Sequence, residues 1–307
     1  MTGRYKLTEG ENVMDFYRGK KLVWNGDSIS YGAGLADRTK AMPYLVANAL
    51  GMKLSNYAIS GGTLAKQEGS YEACFLDLNE WQSAVEQGFL DTSKRYMVRD
   101  DFFAPRPYRL YSFVDGQWVP SGTTISDVAR TPLVDRIGEM DKDADVVAIM
   151  IGTNDFCYNW SHFGELADGY YSRDPNQAIN KPQTSFYGAL HSMMRYLLQT
   201  YKNKDIVLLT PIKRLQPKGI GRSTWDCRYP EDRNGLGLSL NDYRKAIMEV
   251  AEYYSVPCID LYALSGLNPH IDSSLFADKD TKLVHPNEAG HERMASVVTA
   301  FLKSYRC

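Results

Sequence analysis

Length, composition and charge describe a folded protein without a strong charge bias. The chain has 307 residues, of which 44% are hydrophobic and 23% charged, and its formal net charge is -2. Open α/β folds reach this length as one domain with insertions. The near-balance of charge gives no attraction for nucleic acid or for an anionic membrane surface, so we expect neither as a partner.

The N-terminal region and the cysteines bear on localisation. Residues 1–20 carry charges throughout and lack the apolar centre of a secretion signal, and no later stretch reaches the length of a membrane-spanning helix. Five scattered cysteines favour reduced thiols over a disulfide framework. The sequence favours a cytoplasmic protein, or a secreted one if a signal peptide was removed before this numbering begins.

Short apolar runs alternate with helical patterns along the chain. Strands are predicted at 21–25, 54–59, 145–151, 205–210 and 256–260, with helical periodicity at 45–50 and in a closing helix at 292–302. Near-continuous β-branched runs are typical of a parallel sheet that is buried on both faces. Such sheets bind ligands beyond the carboxyl ends of their strands.

Residues 63–130 form a connection far longer than α/β units usually have, and we interpret them as an insertion between the second and third strands. A helix is predicted at 71–87, and a hairpin at 108–123 with Asp115-Gly116 in its turn. The insertion is either a lid or subdomain beside the site, or a surface elaboration or dimer contact.

Three motifs lie at the carboxyl ends of the first three predicted strands, and a fourth lies after the last strand. In chain order they are Gly26-Asp27-Ser28-Ile29, Asn56-Tyr57-Ala58-Ile59-Ser60-Gly61, Gly152-Thr153-Asn154-Asp155 and His285-Pro286-Asn287-Glu288-Ala289-Gly290-His291. Ser28, in a tight turn after a strand, can project a nucleophilic hydroxyl into the cleft. By itself such a triplet is more often an ordinary turn or helix N-cap. His285 supplies the imidazole that can accept the serine proton near neutral pH, and Pro286 suits the first turn of the closing helix.

The second and third motifs offer donors for a developing oxyanion. Gly61 lets the backbone approach a substrate and donate its N–H, and Asn154 can donate from its side-chain amide. Asp155 is expected to brace the loop, and His291 to be structural. The six-residue spacing of the two histidines does not fit a helical zinc site, and we expect no metal and no cofactor.

The ordered set of Ser28, Gly61, Asn154 and His285 resembles the SGNH (GDSL-like) hydrolase superfamily of esterases and lipases. The resemblance implies a flavodoxin-like three-layer α/β/α sandwich with a five-stranded parallel sheet of order 2-1-3-4-5. The domain would span 21–307, after an N-terminal extension at 1–20. It also implies an oxyanion hole made by the Ser28 and Gly61 amides and the Asn154 side chain. The Gly-x-Ser-x-Gly elbow of the α/β-hydrolases is absent.

One position departs from the family pattern. The family usually places an aspartate three residues before the histidine, where this chain has Lys282. Asp280 is the preferred third member of a triad with Ser28 and His285. Asp278 and a backbone carbonyl near Lys282 are the alternatives.

The resemblance implies a serine ester hydrolase with an acyl-serine intermediate, acting on short-chain or O-acetyl esters of carbohydrates. A lysophospholipase or acyl thioesterase, and an inactive glycan-binding module, are the alternative functions. Tyr31, Tyr158, Trp160 and Trp225 lie in or next to the loops expected around the cleft and are candidate substrate-binding residues. The expected partner is a small-molecule or glycan ester, and homo-oligomerisation stays open.

Overall fold

The computed structural model describes residues 16–66, 75–76, 78–93, 96–99, 107–126, 132–158, 162–169, 183–215, 233–234, 236–279 and 283–305. Its strands are β1 Lys21–Gly26, β2 Lys53–Asn56, β3 Phe75–Leu76, β4 Tyr96–Arg99, β5 Pro107–Val114, β6 Gln117–Ser126, β7 Val146–Met150, β8 Asp205–Leu209 and β9 Cys258–Ile259. Its helices are α1 Ser28–Tyr31, α2 Met42–Leu50, α3 Leu78–Glu86, α4 Leu133–Arg136, α5 Thr153–Tyr158, α6 Phe186–Thr200, α7 Leu240–Tyr253, α8 Leu261–Leu264 and α9 Glu288–Tyr305.

The main sheet has five parallel strands in the order β2-β1-β7-β8-β9. In order along the chain these are strands 2-1-3-4-5, so the predicted topology is confirmed. β7 and β8 are buried along their whole length, as expected of continuous apolar runs in a sheet covered on both faces. β2 and β9 are shorter than predicted and lie at the two edges, where each pairs with only one neighbour.

Alternating side chains of the strands form two hydrophobic cores, one on each face of the sheet. On one face Val23, Val147 and Leu208 pack with helices α4, α6 and α7. On the other face Trp24 and Ala148 pack with α2 and α9. Successive side chains of each strand therefore face opposite helical layers. The fold is the three-layer α/β/α sandwich.

The segment between β2 and β7 contains a second sheet, of order β3-β4-β5-β6. Its β5–β6 hairpin turns at Asp115 and Gly116, which both have positive φ, 49° and 82°, as a type I′ turn requires. Trp81 of α3, Tyr96 and Val98 form a small separate core under this sheet. The helix predicted at 71–87 begins at Leu78 in the structure, and residues 71–74 and 77 lie outside the described part.

Both ends of the domain meet on the α2–α9 face. Tyr17 is fully buried and its hydroxyl donates to the carbonyl of Leu302, so the packed part of the chain begins before residue 21. The closing helix is longer than predicted at both ends. Pro286 lies before this helix and not in its first turn. Asn287 caps the helix, since its side-chain oxygen accepts the N–H of Gly290 at 3.1 Å. Among the described helices, none is both long and apolar enough to cross a bilayer.

His291 links α9 to the start of α2. The side chain is fully buried, and Nδ1 accepts the backbone N–H of Met42 at 3.1 Å. This bond satisfies one of the donors at the start of α2, where Ala41 makes no side-chain cap. Burial, together with the charge of nearby His285, lowers the pKa of His291 to about 4. A neutral His291 is therefore part of the folded structure, in the structural role expected for it.

Acidification should destabilise the protein through His291. The unfolded chain binds this proton near pH 6.5 and the folded chain only near pH 4, so the contribution of His291 to the free energy of unfolding should fall between these values, by about 3 kcal/mol. Because the raised pKa values of buried Asp27 and Asp155 act in the opposite direction, the effect is measured as the difference between wild type and His291→Gln in urea unfolding at pH 7 and pH 4.5. His291→Gln should lose part of this pH dependence, whereas the same change at exposed His270 should keep it. Equal pH dependence in wild type and His291→Gln would contradict the assignment.

Candidate active site

Ser28 lies at the carboxyl end of the central strand β1. Gly26 ends that strand so close to β7 that a Cβ there would lie 2.3 Å from the Met150 carbonyl oxygen, which only glycine avoids. Asp27 caps the short helix α1 by accepting the N–H of Ile29 at 2.9 Å. Ser28 is the first residue of this helix and is 4% exposed. The sharp strand-to-helix turn thus fixes the direction of its hydroxyl.

His285 reaches the same edge of the sheet from the loop before α9. Its Nε2 lies 2.9 Å from Ser28 Oγ, although the two residues are 257 positions apart. Antiparallel bridges hold this loop at both sides, between Phe276 and Pro286 and between Leu215 and Leu283. A hydroxyl and an imidazole are therefore within proton-transfer distance.

Asp278 is the carboxylate that contacts the imidazole. Its Oδ2 lies 2.9 Å from His285 Nδ1, and Oδ1 accepts the N–H groups of Val284 and His285 at 3.1 Å each. Asp278, the alternative to Asp280 in the sequence analysis, is thus the described carboxylate in contact with the imidazole, and it lies two residues after the bridge between Phe276 and Pro286. Asp280 and Lys282 lie outside the described residues. The sequence gives no signal for this bridge, since it joins two residues of an irregular loop.

Two further candidate donors lie near the end of β1. Gly61 follows β2 with φ of 81°, in the left-handed region that favours glycine. Asn154 is the second residue of α5, and its Nδ2 donates one hydrogen to the carbonyl of Gly62 at 2.9 Å. That bond orients the amide and leaves its second hydrogen for another acceptor. The geometry thus brings the residues predicted for the oxyanion hole, Ser28, Gly61 and Asn154, to neighbouring strand ends.

A layer of buried charged residues supports these loops. Asp155 accepts the N–H groups of Leu64 and Ala65 at 3.0 Å, so it braces the loop after Gly61. Burial raises the pKa of Asp155 to about 6 and that of Asp27 to about 7. Burial thus disfavours the charged form of both carboxyls, so their position beside these short loops is energetically unfavourable unless they are hydrogen-bonded.

Arg136 is a supporting residue that the sequence did not reveal. It is 3% exposed and donates to Asn25 Oδ1 at 2.7 Å, to the Tyr57 carbonyl at 2.8 Å and to the Gly26 carbonyl at 3.3 Å. Burial lowers its pKa to about 10, which still leaves it charged at neutral pH. Arg136 therefore ties the ends of β1 and β2 together from the last turn of α4. Its only sequence signal, a cation next to apolar residues, is common on surfaces.

The candidate substrate-binding residues are only partly described. Tyr31 ends α1 and is half-buried, with the Arg38 guanidinium 4.0 Å from its ring centroid, so a cation covers one ring face. Tyr158 ends α5. Trp160 and Trp225 lie outside the described residues. Within the described ranges, no group of three or more His, Cys, Asp or Glu side chains could hold a metal ion.

Comparison with known proteins assigns the family. Residues 114–293 match the family model described as GDSL-like Lipase/Acylhydrolase family. The matched region includes Asn154 and His285 and begins after Ser28 and Gly61. No curated protein matches the chain significantly.

Three similar solved structures have the same fold. A protein from Lactobacillus plantarum is 21% identical with a TM-score of 0.59, covering 94% of this chain and 98% of that chain. A possible lipase from Chitinophaga pinensis is 15% identical with a TM-score of 0.51, covering 92% and 98%. A protein from Bacteroides ovatus, described as a candidate GDSL-like lipase, is 14% identical with a TM-score of 0.50, covering 93% and 99%.

The similarity to these structures shows the fold, and the match to the family model adds the class of enzyme. It matches more than half of the chain and ends beyond the histidine motif. The chain therefore belongs to the GDSL-like lipase/acylhydrolase family, and it is an ester hydrolase of that family.

Proposed function

We propose that the protein is a serine esterase that forms an acyl-serine intermediate on short-chain or O-acetyl esters of carbohydrates. The observation that carries the mechanism is the pair of 2.9 Å contacts that join Ser28 to His285 and His285 to Asp278. With Nδ1–H donating to the Asp278 carboxylate, Nε2 is unprotonated and accepts the Ser28 hydroxyl proton.

The reaction proceeds in two halves. In the first, Ser28 Oγ attacks the ester carbonyl while Nε2 of His285 takes the proton and then passes it to the leaving alcohol. In the second, water loses a proton to the same nitrogen and attacks the acyl-serine, which releases the acid. Asp278 stabilises the imidazolium in both halves without taking the proton.

The oxyanion of each tetrahedral intermediate is stabilised by the N–H groups of Ser28 and Gly61 and by Asn154 Nδ2. Within the described residues, the Ser28 and Gly61 N–H groups donate to no protein acceptor. Because Gly62 and Asp155 hold the surrounding loops by hydrogen bonds, these donors are aligned before the charge develops.

A small acyl group and a sugar alcohol suit the surroundings of Ser28. The 4% exposure of this serine supports a short acyl group, since a long chain needs an extended apolar channel beside the nucleophile. Half-buried Tyr31 lies three residues after Ser28 in the same short helix, and an aromatic ring with a hydroxyl is a suitable group for contact with a sugar ring.

Removal of the nucleophile tests the mechanism. Ser28→Ala should lower kcat on 4-nitrophenyl acetate by about 10⁶-fold and should abolish labelling by a fluorophosphonate probe. Ser93→Ala, at an exposed serine, should be labelled like the wild type. Wild-type turnover in Ser28→Ala would refute the proposal. A wild-type protein that resists the probe but binds sugars would instead indicate an inactive glycan-binding module.

The assignment of the acid is tested by a matched pair of aspartates. Asp278→Asn should reduce kcat by about 10⁴-fold, because the amide favours the wrong tautomer of His285. Asp280→Asn should stay close to wild type. Circular dichroism of both variants checks that the fold is intact, since Asp278 also accepts two backbone N–H groups. The reverse order of activities would restore Asp280 to the triad.

A series of 4-nitrophenyl esters tests the size of the acyl group. We expect kcat/KM to be highest for acetate and to fall steadily from butyrate to decanoate, because Ser28 is only 4% exposed and a short acyl group needs the least room beside it. Acetylated xylan, assayed by acetate release, tests the sugar part. A maximum at long chains would favour a lysophospholipase or acyl thioesterase.

A further inference from the structure

A cavity of about 480 Å³ lies outside the catalytic group, and four of its eight lining residues are cationic. Lys213 comes from the loop after β8, Arg233 from the segment before α7, and Arg244 and Lys245 from the second turn of α7. Tyr262 of α8 contributes an aromatic wall. Three separate parts of the chain thus bring positive charge to one concave surface.

Arg244 forms a fixed wall of this cavity. Its Nε and Nη2 donate to the two oxygens of Asp260 at 2.8 and 2.5 Å, and its Nη1 donates to Asn241 Oδ1 at 2.8 Å. The bidentate pair neutralises the guanidinium and holds it in place. Arg244 therefore shapes the cavity, and the charge for a ligand must come from other residues.

Lys213, Lys245 and Arg233 supply that charge. In the described part of the chain neither lysine forms an ion pair, and Lys213 Nζ lies 5.2 Å from the Tyr262 ring centroid. Arg233 is 3.9 Å from Asp242, the one carboxylate of the lining.

Asp242 is already engaged in a capping box. Its Oδ2 accepts the N–H and the hydroxyl of Ser239 at 2.8 Å each. Three cationic groups therefore face one committed carboxylate, and an anion between them would relieve their mutual repulsion. Because the box occupies the start of α7, the contacts to such an anion come from side chains.

The cavity lies at the same edge of the sheet as Ser28. Lys213 and Tyr262 follow the carboxyl ends of β8 and β9, which are two and three strands away from β1. At about 4.8 Å between strands, the separation along the edge is about 10–14 Å. We propose that this cavity binds an oxyanion group, either a free phosphate or sulfate ion or the acidic substituent of a sugar.

Direct binding tests the proposal without relying on the esterase reaction. Titration calorimetry of the whole chain with inorganic phosphate, at ionic strength fixed by NaCl, should give a saturable heat. The Lys213→Ala/Lys245→Ala double variant should bind phosphate about tenfold more weakly or worse. Lys202→Ala serves as the control, because Lys202 is exposed and lies before β8, at the opposite edge of the sheet. Phosphate binding by the double variant equal to that of the wild type would overturn the proposal.

A second probe distinguishes the two sources of the anion. D-Glucuronate binding more tightly than phosphate supports a sugar acid, and the reverse order supports a free inorganic oxyanion. No saturable heat with phosphate, sulfate or glucuronate would overturn the proposal. Fluorophosphonate labelling of Ser28 in the double variant should match the wild type, so a failure of this proposal is distinguishable from a failure of the esterase proposal.

Discussion

The candidate site depends on a 2.9 Å contact between Ser28 Oγ and His285 Nε2, two atoms that the chain brings together across 257 positions. The parallel sheet makes this contact feasible, because all of its strands end at one edge and their loops converge there. Ser28 occupies the centre of that edge, since β1 lies between β2 and β7. Its two strand neighbours accordingly contribute Gly61 and Asn154, and the last loop contributes the imidazole.

Hydrogen bonds from buried side chains hold the short loops at this edge of the sheet in place. Arg136 ties the ends of β1 and β2, Asp155 ties the loop after β2 to α5, and Arg214 donates to the carbonyl and hydroxyl of Thr153 at 3.3 Å. All three side chains are buried. Burial of charge is costly unless each group is hydrogen-bonded, so these contacts must form together. The position of the proposed oxyanion donors is thus linked to α4, which follows the inserted segment.

The inserted segment has its own small sheet and its own core of Trp81, Tyr96 and Val98. Its hairpin satisfies the rules of local turn geometry independently of the main sheet, which explains why Asp115-Gly116 was a reliable signal. The cationic cavity at β8 and β9 has a different origin. Its residues come from separate loops, and only the topology places them side by side.

The sequence by itself determined the main strands, the hairpin and the identity of Ser28, Gly61, Asn154 and His285 as the candidate reacting residues. These features follow from local patterns, namely apolar runs, a two-residue turn and short motifs at strand ends, whereas the sheet order was implied by the resemblance to the SGNH hydrolase superfamily. Only the tertiary structure decided that Asp278 contacts the imidazole and that Arg136 holds the strand ends. Both depend on contacts between distant or irregular segments, the 276–286 bridge and the approach of α4 to β1, and no periodicity in the chain encodes them.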